Sequence, residues 1–245
     1  MRKLVSEIDK ACRKFANPAL AAKYTRYFAE GYDSYGVKYD DPAWVKQRQA
    51  WLEAHRPLGL KWFLELGQAL FATGKYEHGA LAMWFVSQHR DQIGPKVFAG
   101  IGKWFEGGVR NWAHSDSLCG ELLAPRLASG AVSLGALKGW RASAHKYKRR
   151  AVPVAMLGLL KTTTDYGALL EFLRPLMLDG EKVVQQGLGW FLREAWKKQP
   201  QPVEAFLQEW KDTAPRLIFQ YATEKMTPAQ KERFRRAKPA RTGLA

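Results

Sequence analysis

Apolar residues recur along most of this chain at the spacing of three and four residues that places them on one face of an α-helix. The segments 58–72 and 183–198 show the pattern most clearly. In the first segment the apolar face is formed by Leu60, Phe63, Leu64, Gly67, Leu70 and Phe71. Glycine and proline separate the helical segments, and no Asn-Gly or Asp-Gly turn lies between alternating apolar runs as it would in a β-hairpin. The sequence therefore predicts an all-α protein.

A longer period also runs through the helical pattern. Segments that we interpret as the inner helices of successive helix pairs begin near Gly79, Ser115, Arg150, Gln186 and Leu217. These starts are separated by roughly 31 to 36 residues, which is the length of one helix–turn–helix repeat in an α-solenoid. Stacked pairs of this kind bury their apolar faces against their neighbours and produce a concave surface. The period therefore predicts an α-helical repeat solenoid.

The repeats predict a single domain over residues 1–226, in which residues 1–55 form a helical N-terminal cap. Residues 227–245 are polar and basic, and we expect this C-terminal tail to fray. Its cations are Lys231, Arg233, Arg235, Arg236, Lys238 and Arg241.

The repeat register has a consequence for the concave face. Asp116, Arg150 and Gln186 occupy equivalent early positions of successive inner helices, so we expect their side chains to line one stripe of that face. Trp190 follows Gln186 by about one helical turn, and Trp112 precedes Asp116 by the same interval. A carboxylate, a guanidinium and two indoles would therefore converge from helices that are far apart in the sequence.

The charge of the chain narrows the class of partner. Lysine and arginine together number 39 against 23 acidic residues, which gives a net charge of +16, while 47% of the residues are hydrophobic and can form a sizeable core. A clustered positive excess of this size is typical of proteins that neutralise phosphates and release counterions. We therefore expect a concave, basic DNA-binding face; the alternative is that the charge serves solubility only.

Several kinds of site and location are not indicated by the sequence. Cys12, Cys119 and the five histidines show no metal-ligand spacing and no disulfide framework. No glycine-rich phosphate loop or catalytic-serine motif is present. The first residues lack the apolar run of a signal peptide, and no apolar stretch is long enough to span a membrane. We therefore expect a cytoplasmic protein that needs neither a metal nor a cofactor.

Trp112 and Asp116 are the two residues whose side chains most clearly suggest a chemical reaction. They lie four positions apart and thus on one face of a helix. An indole and a carboxylate presented together can stabilise positive charge, and the positive charge that chemistry most often develops on DNA lies on a deoxyribose losing its base. The pair therefore indicates a DNA glycosylase for alkylated bases; the alternative is a core tryptophan with a capping or surface aspartate.

A second candidate surface combines an aromatic side chain with cations. Arg193 and Lys197 follow Trp190 by three and seven positions, so the three side chains share a helix face of the kind that contacts sugar and phosphate together. Arg150 ends the basic run that starts at Lys146 and opens an inner helix, where the helix dipole also favours phosphate. We therefore expect Arg150 to contact a phosphate; the alternative is that the run is a solvated face.

Three elements of the sequence form a pattern that is specific when they occur together. They are Arg26-Tyr27-Phe28 with Tyr35-Gly36-Val37, then Trp112-Ala113-His114-Ser115-Asp116-Ser117, and then Gly189-Trp190-Phe191-Leu192-Arg193-Glu194. Arg149-Arg150-Ala151 lies between the last two. On these elements the chain resembles the AlkD-type HEAT-like-repeat alkylpurine DNA glycosylases, from about Ile8 to Met226.

The resemblance implies a site and a reaction. Trp112 and Trp190 would flank the deoxyribose of the lesion, and Asp116 would be the catalytic carboxylate. Contacts to the DNA backbone are implied for Arg150, Arg193, Lys197 and, from the N-terminal region, Tyr27. The implied substrate is duplex DNA containing purines alkylated at N3 or N7, whose bases leave without extrusion into a pocket, and we expect the protein to act as a monomer.

One position departs from the family pattern. Many members have a second aromatic residue directly before the tryptophan of the Trp-x-x-x-Asp element, and Asn111 stands there in this chain. We therefore expect a difference in lesion preference or in DNA distortion.

Two rival classes share the predicted fold. A non-catalytic repeat protein that binds DNA or serves as a scaffold fits the charge equally well, but it has no need for the set Trp112, Asp116 and Trp190. An RNA-binding solenoid would need base-reading side chains in every repeat, and the sequence does not contain them.

Overall fold

The computed structural model describes residues 1–236, and over this range all regular secondary structure is helical. The α-helices are α1 (Arg2–Lys14), α2 (Pro18–Thr25), α3 (Pro42–His55), α4 (Gly59–Ala72), α5 (Tyr76–Ser87), α6 (Pro95–Gly107), α7 (Trp112–Leu118), α8 (Ala124–Ala128), α9 (Lys146–Met156), α10 (Tyr166–Leu173), α11 (Lys182–Trp196), α12 (Pro200–Trp210), α13 (Arg216–Ala222) and α14 (Pro228–Glu232). The prediction of an all-α fold is confirmed. The chain divides into two compact units, Met1–Leu137 and a second unit from Lys138 onward.

The first unit is built around α4, which packs against α5 and α6, while α1 contacts α4 and α5. The apolar face predicted within residues 58–72 is the face that α4 buries, apart from Leu64, which is half-buried. Trp104 of α6 is fully buried and donates its indole N–H to the Leu64 carbonyl oxygen at 3.1 Å. The contact between α4 and α6 therefore includes a hydrogen bond in addition to apolar packing.

The second unit is centred on α11, which packs against α9, α12 and α13. Gly189 permits the close approach of α13, because a Cβ atom at this position would lie 2.5 Å from Cβ of Tyr221 and 2.7 Å from the carbonyl oxygen of Ile218. The side-chain amide of Gln186 donates to the Tyr221 hydroxyl at 3.1 Å across the same contact. The glycine before Trp190 is therefore required by the packing of the helix that carries it.

The five inner helices predicted from the sequence correspond to α5, α7, α9, α11 and α13, and each begins within about one turn of its predicted start. Consecutive inner helices contact each other within a unit: α5 contacts α7 in the first, while α9 contacts α11 and α11 contacts α13 in the second. This neighbour-to-neighbour packing is that of an α-helical repeat protein, as predicted. The single domain over residues 1–226 and its concave, basic face stay predictions.

The segment expected to be a helical cap, residues 1–55, contains α1, α2 and α3 but is not helical throughout. Residues 26–41 form an irregular connection between α2 and α3. Gly36 in this connection has a φ of +74°, and a Cβ atom there would lie 2.1 Å from the carbonyl oxygen of Asn17. The connection is therefore drawn tightly against the start of α2 in a conformation that favours glycine.

Part of the segment expected to be a fraying tail is folded onto the second unit. Thr227 caps α14, and its side chain and that of Gln230 exchange hydrogen bonds with each other's backbone N–H groups. Phe234 is 1% exposed, and the Arg236 guanidinium donates to the Ala214 carbonyl oxygen at 2.9 Å. The expectation of fraying is wrong for residues 227–236, because it overlooked this buried ring. Lys238 and Arg241 lie outside the described residues.

Candidate functional site

Trp112 and Asp116 both lie on α7, and the local sequence explains where that helix begins. Asn111, in an extended conformation directly before the helix, accepts a hydrogen bond from the His114 backbone N–H at 2.8 Å, which is the geometry of an N-cap. Trp112 is therefore the first residue of the helix and is 40% exposed. Asp116, one turn later on the same face, is half-buried. The residue that departs from the family pattern thus caps the helix that carries both candidate residues.

The His114 side chain connects α7 to α5. Its Nε2 lies 2.9 Å from the Tyr76 carbonyl oxygen and its Nδ1 lies 3.1 Å from the Asn111 side-chain nitrogen, and its ring stacks on that of Tyr76 with centroids 4.5 Å apart. Burial lowers the pKa of His114 to about 4, so the ring is neutral at pH 7. A neutral ring with its proton on Nε2 satisfies both hydrogen bonds. His114 is therefore a structural group that holds α7 in place.

The Trp112 indole is held by the N-terminal part of the first unit. Its Nε1–H donates to the Tyr27 carbonyl oxygen at 3.0 Å, and the Phe28 ring stacks on it with centroids 5.7 Å apart and 16° between the ring planes. Phe28 in turn stacks on Tyr32 at 4.4 Å. The structure therefore brings together Tyr27 and Trp112, two sequence-predicted site residues that are distant along the chain.

A cleft of about 820 Å³ opens beside Trp112 within the first unit. Its aromatic lining consists of Tyr24, Tyr27, Phe28, Tyr32, Tyr39, Tyr76 and Trp112. Burial raises the pKa of Tyr32 and that of Tyr39, and it raises the pKa of Tyr76 to about 12. These phenols stay protonated at neutral pH, so the aromatic part of the lining presents planar apolar surface edged by neutral hydroxyl groups. Lys38 and Asp40 add charged groups to the lining.

Sequence reasoning does not identify Phe28, Tyr32 and Tyr76 as neighbours of Trp112. The available signal was the density of aromatic residues between positions 24 and 39. That density does not specify which rings meet, because the connection that carries them follows no helical or strand period. The contacts become visible only when the course of the backbone is known.

Glu77 anchors the wall of the cleft. Its carboxylate is buried on the first turn of α5 and accepts hydrogen bonds from four groups of the irregular connection. The donors are the Ser34 hydroxyl at 2.6 Å and the backbone N–H groups of Tyr35 at 3.1 Å, Gly36 at 2.9 Å and Val37 at 3.2 Å. A buried charge with this many donors is fully solvated by the protein. The sequence signal for this residue, which the predictions above did not use, is an acidic side chain at the start of an apolar helix.

Arg150 is less accessible than its expected contact with a phosphate suggests. It lies on α9 and is 6% exposed, and its Nη1 donates to the Val183 carbonyl oxygen at 2.6 Å. This bond joins α9 to α11, so the guanidinium takes part in the packing of two inner helices. The expected phosphate contact stays a prediction.

The face of α11 that was expected to be cationic also carries acidic partners. Arg193 pairs with Glu194 at 3.0 Å and with Glu224, and Lys197 pairs with Glu194. Burial alone would raise the pKa of Glu194, but hydrogen bonds from Lys197 and Arg193 lower it below its ordinary value. Trp190 is half-buried on the same helix. The two cations are therefore paired with carboxylates, and their expected contact with sugar and phosphate stays a prediction.

The candidate residues divide between the two units. Tyr27, Trp112 and Asp116 belong to the first, while Arg150, Trp190, Arg193 and Lys197 belong to the second. The convergence of the two groups stays a prediction. Within residues 1–236 no three or more His, Cys, Asp or Glu side chains are grouped so that they could hold a metal ion. Over the same range no helix has both the length and the apolar character needed to cross a membrane.

Similarity to known proteins covers most of the chain. Residues 8–226 match the family model described as DNA alkylation repair enzyme. Among solved structures, the fold is similar to that of a predicted DNA alkylation repair enzyme from Enterococcus faecalis, with a TM-score of 0.67 over 87% of this chain and 97% of that chain, at 18% sequence identity. At this identity the likeness concerns the fold alone. No curated protein matches the chain.

Proposed function

Because the chain belongs to the family of DNA alkylation repair enzymes, we propose that it is a DNA glycosylase that releases purines alkylated at N3 or N7 from duplex DNA. The observation that carries this proposal is the pairing of Trp112 and Asp116 on one face of α7, with the indole held at the wall of an aromatic cleft. Substrates of this class are 7-methylguanine and 3-methyladenine. We also propose that the protein acts as a monomer in the cytoplasm and uses no cofactor.

The chemistry of the lesion determines what the protein must supply. An alkylated purine of this kind already carries a positive charge, so the base leaves as a neutral molecule without a general acid. When the N-glycosidic bond breaks, positive charge develops at C1′ of the deoxyribose, and a water molecule then adds at that carbon. In the proposal the Asp116 carboxylate stabilises the developing charge and orients the water.

The two tryptophans have a related role in the proposed mechanism. The faces of Trp112 and Trp190 would contact the cationic deoxyribose, and each cation–π contact contributes about 0.5–2 kcal/mol. None of these interactions requires the base to be extruded into a pocket, the route that most glycosylases follow. Selection would therefore depend on how readily the base departs rather than on recognition of its shape.

Contacts to the DNA backbone complete the proposal. Arg150, Arg193, Lys197 and Tyr27 are the residues to which we assign them. In the proposal Arg193 and Lys197 exchange their glutamate partners for phosphates. The exchange is easier for Lys197, whose side chain is 45% exposed, than for Arg193, whose side chain is 19% exposed, because solvent screening weakens ion pairs. Tyr27 is 51% exposed and is linked to Trp112 through its carbonyl oxygen, so a backbone contact there would lie next to the reacting sugar.

The proposal is tested by comparing a charged lesion with a neutral one. Two duplexes of the same sequence, one with a single 7-methylguanine and one with a single uracil, are incubated with the wild-type protein, and the released base is quantified. We expect release of 7-methylguanine and no detectable release of uracil, because only the first base leaves from a cationic state. Equal release of both bases would contradict the mechanism. Binding of both duplexes without release would identify a non-catalytic DNA-binding repeat protein instead.

A further inference from the structure

Trp112 has contacts that restrict both the edge and one face of its indole. A tryptophan at the first position of a helix and 40% exposed would otherwise have several rotamers within reach. The Tyr27 carbonyl oxygen accepts the indole N–H at 3.0 Å, and the ring of the next residue, Phe28, stacks on one face of the indole at 5.7 Å. Two consecutive residues of one short segment therefore determine the orientation of the ring.

The segment that makes these contacts is itself held in place. The backbone N–H groups of Tyr27 and Phe28 donate to the carbonyl oxygens of Tyr24 and Thr25 at 3.0 Å each. Phe28 stacks on Tyr32 at 4.4 Å with 10° between the ring planes, and the Tyr76 ring meets Phe28 edge to face at 5.9 Å. Phe28 is thus enclosed by rings on several sides and cannot turn without disturbing them.

We propose that Phe28 is a positioning residue for Trp112, and that with the Tyr27 carbonyl it presents only the opposite face of the indole to the deoxyribose. This proposal rests on the proposed function and extends it to a residue that does not touch the substrate. A cation–π contact acts through the face of the ring, so its strength depends on the angle at which that face is held. The hydrogen bond donated by the indole N–H also draws electron density into the ring, which strengthens its attraction for a cation.

The kinetic test separates positioning from binding and from folding. Release of 7-methylguanine is measured in single turnover with saturating protein, together with the Kd for the same duplex. We expect Phe28→Leu to lower the rate by about tenfold or more, since a misplaced catalytic group costs up to about a hundredfold, while the Kd changes by less than about threefold. Phe28→Tyr keeps the ring and should keep the rate near that of the wild type.

A matched control is available in the same unit. Phe15 is also half-buried and also meets a tryptophan, Trp44, at 5.5 Å, but it does not line the cleft. Phe15→Leu should therefore leave the single-turnover rate unchanged, even where it lowers the melting temperature. An unchanged rate in Phe28→Leu, or an equal loss in Phe15→Leu, would overturn the positioning role.

A second readout does not depend on excision. The protein is labelled with 5-fluorotryptophan, and the fluorine resonance of Trp112 is identified by its loss in Trp112→Phe. We expect a single sharp line in the wild type and in Phe28→Tyr, and a broadened or multiple line in Phe28→Leu as the indole gains rotamers. A single line of unchanged width in Phe28→Leu would overturn the proposal. If the wild type releases no base, the proposed function fails, and this spectrum still decides whether Phe28 orients Trp112.

Discussion

At the scale of the residue, Arg150 differs most from what its sequence position suggested. A basic run at the start of a helix predicted an exposed side chain, but Arg150 is buried and bonded to a main-chain carbonyl of α11. The reason is the repeat packing, because an early position of one inner helix faces the next inner helix as well as any ligand. Arg150 therefore takes part in the packing of α9 against α11, and the proposed DNA contact would be a second role.

Arg150→Ala tests both roles at once. Loss of the hydrogen bond from the charged guanidinium to the Val183 carbonyl oxygen should lower the free energy of unfolding by about 1–3 kcal/mol. Loss of a phosphate contact should reduce the slope of log Kd against log salt by about 1. The control is Arg141→Ala. Arg141 also donates to a main-chain carbonyl oxygen, that of Phe172 at 2.7 Å, but it is not proposed to contact DNA. An equal slope in wild type and Arg150→Ala would exclude the phosphate contact.

His114 gives the fold a dependence on pH. Its folded-state pKa of about 4 lies below the unfolded value of about 6.5, so the unfolded chain binds the extra proton between these values. The neutral His114 ring makes its full contribution to the free energy of unfolding above pH 6.5. That contribution is lost as the pH falls towards 4, and the total loss is about 3 kcal/mol. Urea unfolding of the wild type and His114→Gln at several pH values should show a steeper decline in the wild type. His145→Gln, at an exposed position, should decline like the wild type.

At the scale of the element, the sequence predicts helices well and the connection between α2 and α3 poorly. Apolar spacing located α4 and α11, since their buried faces follow the helical period. Residues 26–41 have no such period, and their course depends on the buried Glu77 carboxylate and on the close approach at Gly36. The Trp-x-x-x-Asp pair could be predicted because it lies within one helix. Its aromatic surroundings could not, because they come from this connection.

Glu77→Gln should loosen the connection that forms the cleft wall. The amide nitrogen of glutamine would face backbone N–H groups where a carboxylate oxygen now accepts them, so we expect the free energy of unfolding to fall by about 2–3 kcal/mol. Amide hydrogen exchange should accelerate at Tyr35, Gly36 and Val37. Glu65→Gln, at an exposed position of α4, is the control and should change neither quantity. Unchanged protection of these amides in Glu77→Gln would show that other contacts hold the connection.

At the scale of the whole molecule, the net charge of +16 fits a DNA-binding protein but does not identify its reaction. That total already includes the carboxylates that pair with Arg193 and Lys197, and a count of residues does not show which cations are paired. The family establishes alkylation repair, and the proposed glycosylase step assigns the catalytic role to the Asp116 carboxylate. The proposed glycosylase activity therefore depends on Asp116.

The most direct test is base release by Asp116→Asn. A duplex carrying one 7-methylguanine is incubated in single turnover with wild type, Asp116→Asn and the control Asp91→Asn, whose side chain is 97% exposed. We predict release by wild type and Asp91→Asn, and a loss of about a hundredfold or more in Asp116→Asn with duplex binding retained, because the charge that stabilises the deoxyribose cation is removed. Release by Asp116→Asn at the wild-type rate would contradict the account.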